Sequence, residues 1–186
     1  MSGTTLYPAP GVPAFLAGYK PQQADFTGWW TDTAGFLQEK VVFRAAQTLV
    51  ATSLPSAGTT TVIAFDTILE DPYQGWNAAA LNWTPPAAYS GWYHVSVTVR
   101  TAAAAALCDL EVNALLETGS TSYPLCLVQL GTSGGGGGSG SQVLYMTGAQ
   151  QSVQATASLG NAGAAVQTSL TAGQTSTMEI VWISQS

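Results

Sequence analysis

Hydrophobic and polar residues alternate most strictly over residues 91–100. Trp92, His94, Ser96 and Thr98 take one face, and Tyr93, Val95, Val97 and Val99 take the other. A period of two is the signature of a half-buried strand. Residues 107–116 repeat it, with Cys108, Leu110 and Val112 opposite Asp109, Glu111 and Asn113. Further β-rich runs cover residues 41–48, 59–68, 80–84, 142–147, 151–159 and 175–184, and residues 124–130 form a continuous apolar run. Turn residues separate these runs: Ser53 to Gly58, Glu70 to Asn77 and Pro85-Pro86. About nine short strands with regular turns predict a sandwich or barrel. No helical pattern follows residue 40 to supply crossovers, which excludes a parallel α/β fold. The alanines at 102–106 read as a loop. The run GTSGGGGGSGS around residues 134–138 reads as a flexible loop at an exposed tip or a backbone cluster near a symmetry axis.

Residues 1–40 differ. Pro8, Pro10, Pro13, Gly11 and Gly18 predict an extended arm carrying Phe15 and Tyr19. From Pro21, Phe26, Trp29, Trp30, Phe36 and Leu37 recur at three- and four-residue spacing, which predicts a short amphipathic helix. Its aromatic face calls for a surface to dock on, whether another protein or the β domain itself. The chain thus divides into an arm-plus-helix segment (1–40), whose aromatic residues are candidate anchors, and a β domain (41–186).

Charge changes the picture. Only 8% of residues are charged, against about 25% in an ordinary soluble domain. A coat of Thr, Ser, Gln, Asn and Gly offers little repulsion between copies and suits a protein packed among neighbours. The net charge is −6, with Lys20, Lys40, Arg44 and Arg100 the only basic side chains. That excludes phosphate neutralisation on nucleic acid and recruitment to anionic lipid. The N-terminal residues hold neither a basic start nor a continuous apolar stretch, so no secretory leader is expected.

The chemistry-bearing residues are few. Gly131-Thr132-Ser133-Gly134-Gly135 fits G-x-S-x-G, but a nucleophile elbow needs a helix after the serine, and a glycine run cannot supply one. With one histidine, His94, and two cysteines, the chain lacks the ligands for zinc. Asp66, Glu70 and Asp71 are the carboxylates that a calcium ion would use; a solvated acidic loop is the plainer reading. No cofactor is expected and no enzyme. Cys108 has the phase of a small buried hydrophobe, and a bridge from it to Cys126 across neighbouring strands stays open. Asn82-Trp83-Thr84 fits a glycosylation sequon, idle without a leader. Trp76, Trp83 and Trp92 are candidates for stacking on sugars.

The order of these features resembles the C1q/TNF-like jelly roll. Val42-Phe43-Arg44-Ala45 matches the family's opening strand, and the segment ending Phe65-Asp66 matches the next. The block from Trp83-Thr84-Pro85 through Gly91-Trp92-Tyr93 to Val95, Val97 and Val99 matches its Pro–Gly–Tyr segment. Leu170-Thr171-Ala172-Gly173-Gln174 resembles the turn into its last strand. The match covers residues 41–186; the glycine insert and the lack of a collagen-like stem depart from it. The resemblance implies an all-β jelly-roll sandwich assembled as a homotrimer, and binding rather than catalysis. Alternation offers Tyr93, Val95, Ile180 and Trp182 as trimer-axis residues. An arm plus knob resembles tailed-phage virion proteins. The expected role is therefore a capsid decoration protein on the virion surface, made in the host cytoplasm and seated on the major capsid protein. The alternative is a minor tail or fibre-tip protein that contacts tail proteins and a host receptor or surface glycan.

Overall fold

A computed structural model describes residues 42–56, 58–116, 121–161 and 164–184. The arm and helix expected over residues 1–40, with Phe15, Tyr19, Phe26, Trp29, Trp30, Phe36 and Leu37, lie outside the described residues. In chain order the strands are β1 (Val42–Ala46), β2 (Ser53–Leu54), β3 (Thr61–Val62), β4 (Thr67–Glu70), β5 (Trp76–Asn77), β6 (Asn82–Trp83), β7 (Gly91–Thr101), β8 (Cys108–Leu116), β9 (Thr121–Leu130), β10 (Gly136–Met146), β11 (Val153–Gly160), β12 (Val166–Gln167) and β13 (Thr177–Ser184). The first sheet runs β10-β7-β13-β1-β4. The second runs β5-β6-β11-β8-β9, with β3 also paired to β11, and β2 and β12 form a small third pair. All pairings are antiparallel.

The alternation of β7 sets the layering. Tyr93, Val95, Val97 and Val99 are buried, as are Met178, Ile180 and Trp182 of β13 and Phe43 of β1. They meet Leu110, Val112, Ala114, Val153, Ala155, Ala157 and Leu159 of the second sheet. Alanines on one layer make room for aromatics on the other. Trp83 packs against Phe43 and, edge to face, against Tyr93 at 5.7 Å between ring centres; Tyr89 meets Trp182 edge-on at 4.9 Å. The Tyr93 hydroxyl donates to the Tyr89 carbonyl, which satisfies the one polar atom this ring buries.

Two sequence expectations are corrected, and a third element is placed. The run at 59–68 is two strands, not one: β3 lies on the second sheet and β4 on the first. Between them the chain crosses the sandwich, burying Ile63 and Phe65 on the way. β-branched residues favour extended backbone in both halves, so propensity alone cannot reveal the change of sheet. The apolar run at 124–130 is an edge strand, β9, and Leu127 stands 73% exposed.

The second correction concerns the glycines. Gly136, Gly137, Gly138 and Gly140 form the first half of β10, paired in register with β7 from Gly136↔Thr101 to Met146↔Gly91, and only Gly134 and Gly135 stay in the turn before it. Their reason is proximity. β10 edges the first sheet where β9 edges the second. A Cβ on Gly138 would stand 2.5 Å from Cys126 Sγ, one on Gly136 would stand 2.7 Å from Leu130 Cδ2, and one on Gly140 would collide with the Leu125 carbonyl. Glycine in a strand interior marks such a close approach of backbone to a neighbour.

Candidate interaction surface

The outward face of the first sheet is graded along its strands. At one end Tyr145, Trp92 and Ser184 share a row across β10, β7 and β13; the next row is Val143, His94, Val181 and Val42. Ile183, at a bulge in β13 beside Trp92, is also exposed. Trp92 and Tyr145 meet edge to face with ring centres 5.5 Å apart, and each is about 40% exposed (43% and 39%). The middle row carries Ser141, Ser96, Glu179, Arg44 and Glu70. Arg44 lies 3.3 Å from Glu179 and 3.9 Å from Glu70; such exposed pairs contribute little to stability. A shallow depression opens here between Arg44, Leu69, Ser96 and Glu179. The far row is hydroxylic: Ser139, Thr98 and Thr177, with Thr98 bonded to Ser139 at 3.0 Å.

The aromatic end is what this face offers chemically. Trp and Tyr are the side chains that most often carry the energy of protein interfaces, because they bury large area at small entropic cost. Trp92, Tyr145, Val143 and Ile183 are together exposed and uncharged, which is the composition of an interface core rather than of a solvated coat.

The axis residues read from alternation are on the wrong side. Tyr93, Val95 and Ile180 are fully buried and Trp182 nearly so, all within this chain's own core. A side chain already enclosed between two sheets has no area left for a second copy. The residues that do have it, Trp92 and Tyr145, alternate with them. Alternation separates two faces but does not say which is inner, and aromatics stand on both. Of the tryptophans offered for sugar stacking, Trp83 is buried and Trp76 stacks on Phe43 at 5.3 Å. Of the three, Trp92 is the exposed one.

The acidic loops serve the backbone. Asp66 accepts from the amides of Thr48, Leu49 and Val50 at 2.8–2.9 Å, and Asp71 from those of Gly75 and Trp76 and from Trp83 Nε1. Among the described residues no three His, Cys, Asp or Glu side chains gather as a metal site. Burial works to raise the Asp66 pKa, but the amides of Thr48, Val50 and Leu49 and the Thr67 hydroxyl outweigh it and hold it below the usual carboxylate value. A lowered pKa adds stability that is present above about pH 4 and is lost as pH falls through the folded value. Asp66→Ala should therefore cost about 2–3 kcal/mol at neutral pH. In urea titrations the gap to the unsubstituted protein should close below that range; a gap that persists in acid would show that the charge is not what holds the loop.

Neither cysteine pairs. Cys108 stands opposite Leu130 and Cys126 opposite Val112, several residues apart along the β8–β9 ladder, so the bridge left open by the sequence is not formed. Burial raises both thiol pKa values, with Asp109 adding to the effect at Cys108, so both stay protonated. Ser133 does not meet His94. It precedes Gly136, which pairs with Thr101, and Thr101 is about 23 Å along β7 from His94 at strand spacing.

No protein-family model matches the chain, and no curated protein does. Solved structures do. The globular domain of zebrafish complement 1qA is 14% identical with a TM-score of 0.56, covering 80% of this chain and all of that domain. Murine APRIL at pH 8.0 is 12% identical with a TM-score of 0.52, covering 78% of this chain and all of that one. The PRD1 vertex protein P5 is 16% identical with a TM-score of 0.52, covering 77% of this chain and 73% of that one. At such identities the likeness is one of fold: the chain is an all-β C1q/TNF-like jelly-roll sandwich. None of these three is named as an enzyme.

Proposed function

We propose that this chain is a non-enzymatic virion structural protein of a bacteriophage: a homotrimeric surface knob that decorates the capsid and is anchored by residues 1–40. One observation carries the reading, the uncharged aromatic end of the first sheet's outer face. Three copies meeting through Trp92, Tyr145, Val143 and Ile183 would remove from water the apolar area that a lone domain leaves exposed. The low charge of the chain favours dense packing with neighbours, and the fold is shared with a virion vertex protein.

Among the described residues the hydrophobic core runs from Phe43 to Trp182. Deleting residues 1–40 should leave a soluble trimer by light scattering that no longer joins particles. Normal incorporation of the truncated protein would remove the anchor from the reading. The alternative is a minor tail or fibre-tip protein, in which the exposed Trp92 stacks on a host glycan. Binding on a glycan array that is lost with Trp92 would favour it.

A further inference from the structure

The chain holds one histidine, and the fold sets it within the face assigned above to the other copies. In its own row His94 is flanked by Val143 on β10 and Val181 on β13, with Val42 of β1 beyond. Along β7 its neighbours on this face are Trp92 and Ser96. Among the described residues the titratable groups that share the face are Tyr145, in the Trp92 row, Glu179, Arg44 and Glu70, in the Ser96 row, and Arg100, at the far end of β7 beside Gly137. Glu179 and Glu70 already lie within ion-pair distance of Arg44, at 3.3 and 3.9 Å. Among the described residues no carboxylate stands in His94's row to receive a charge.

We infer that His94 makes assembly pH-dependent: the trimer is held with this imidazole neutral and loosens when it takes up a proton. The inference rests on the trimer reading of the same face. A second copy covering this row leaves the ring between valines and a tryptophan, where desolvation opposes the charged form. Three symmetry-related rings would add repulsion between like charges. Imidazoles ordinarily change charge between pH 5 and 8. If the ring must stay neutral in the assembly, acidification weakens binding, and the loss enters the trimer constant once for each of the three subunits.

The test is the mass of the full chain by light scattering over a dilution series at pH 7.5, 6.5 and 5.5, with near-UV circular dichroism to follow folding. The same series is run on His94→Phe and His94→Gln, and the readout is the ratio of association constants between the two extreme pH values. The expected result is a trimer at pH 7.5 that dissociates at pH 5.5 while still folded, and a ratio near one for both variants. A trimer equally strong at both pH values overturns the switch and leaves the trimer reading standing. Variants that dissociate in parallel with the unsubstituted protein do the same. A monomer at every pH overturns both.

Discussion

Gly140→Ala should destabilise the domain by about 3 kcal/mol, and Gly138→Ala by a similar amount, although each adds one methyl group. Both methyls point from β10 into β9 of the opposite sheet. At Gly140 the obstacle is the Leu125 carbonyl, which is backbone and can move only if the two edges part. At Gly138 it is the Cys126 sulfur, a side-chain atom at 2.5 Å. The two costs should therefore separate on second substitution: Cys126→Ala restores much of the stability of Gly138→Ala and none of that of Gly140→Ala. Gly131 has open space where its Cβ would be, so Gly131→Ala is the control and should change stability by under about 0.5 kcal/mol. Denaturant midpoints at constant slope decide the matter. Equal, small effects at all three glycines would mean that the run is a tether and not a packed strand.

Trp92→Asp, alone or with Tyr145→Asp, should leave the domain folded and dissolve the trimer to monomers, weakening assembly by well over a hundredfold. Truncating one such anchor at an interface centre commonly costs 2 kcal/mol or more, and a carboxylate placed there adds an unpaired buried charge. The next residue along should behave in the opposite way. Tyr93 points inward and is fully buried, so Tyr93→Ala should lose about 3–5 kcal/mol of folding stability through the cavity it leaves. Mass by light scattering and melting temperature, measured on the same samples, separate the two. If Trp92→Asp lowers the melting temperature as Tyr93→Ala does while the mass stays that of a trimer, the outer face is not where copies meet.

Much of this fold was legible because its strands obey a simple period. β7 and β8 carry an apolar residue at every second position, and that alone gave their extent and divided each into two faces. Three features were hidden for physical reasons. Residues 59–68 are uniformly β-prone, and nothing in propensity marks Ile63 to Asp66 as the crossing between sheets. The glycines of β10 have the composition of a linker; only β9, the preceding strand laid on the edge of the opposite sheet, explains why no side chain fits. At the surface, Trp92 and Tyr93 are adjacent aromatics on opposite faces. Hydrophobicity ranks the two alike, so it offers the inward one as a contact residue as readily as the outward one. The signal that separates them lies on their partners: His94, Ser96 and Thr98 follow Trp92 on its face, whereas only valines follow Tyr93.

The first sheet also gives the domain a direction. Val42 opens β1 two residues from Arg44, and Ser184 closes β13 beside Trp92, so the described chain enters and leaves at the aromatic end. The turn that carries Gly131 and Gly134 leads into the opposite end, where Gly136 meets Thr101, and both glycines have free space around them. Cargo fused after the last strand would crowd the aromatic rows, whereas a peptide spliced into that turn would project from the far pole. For display on a particle, the pole with the glycines is the one to load.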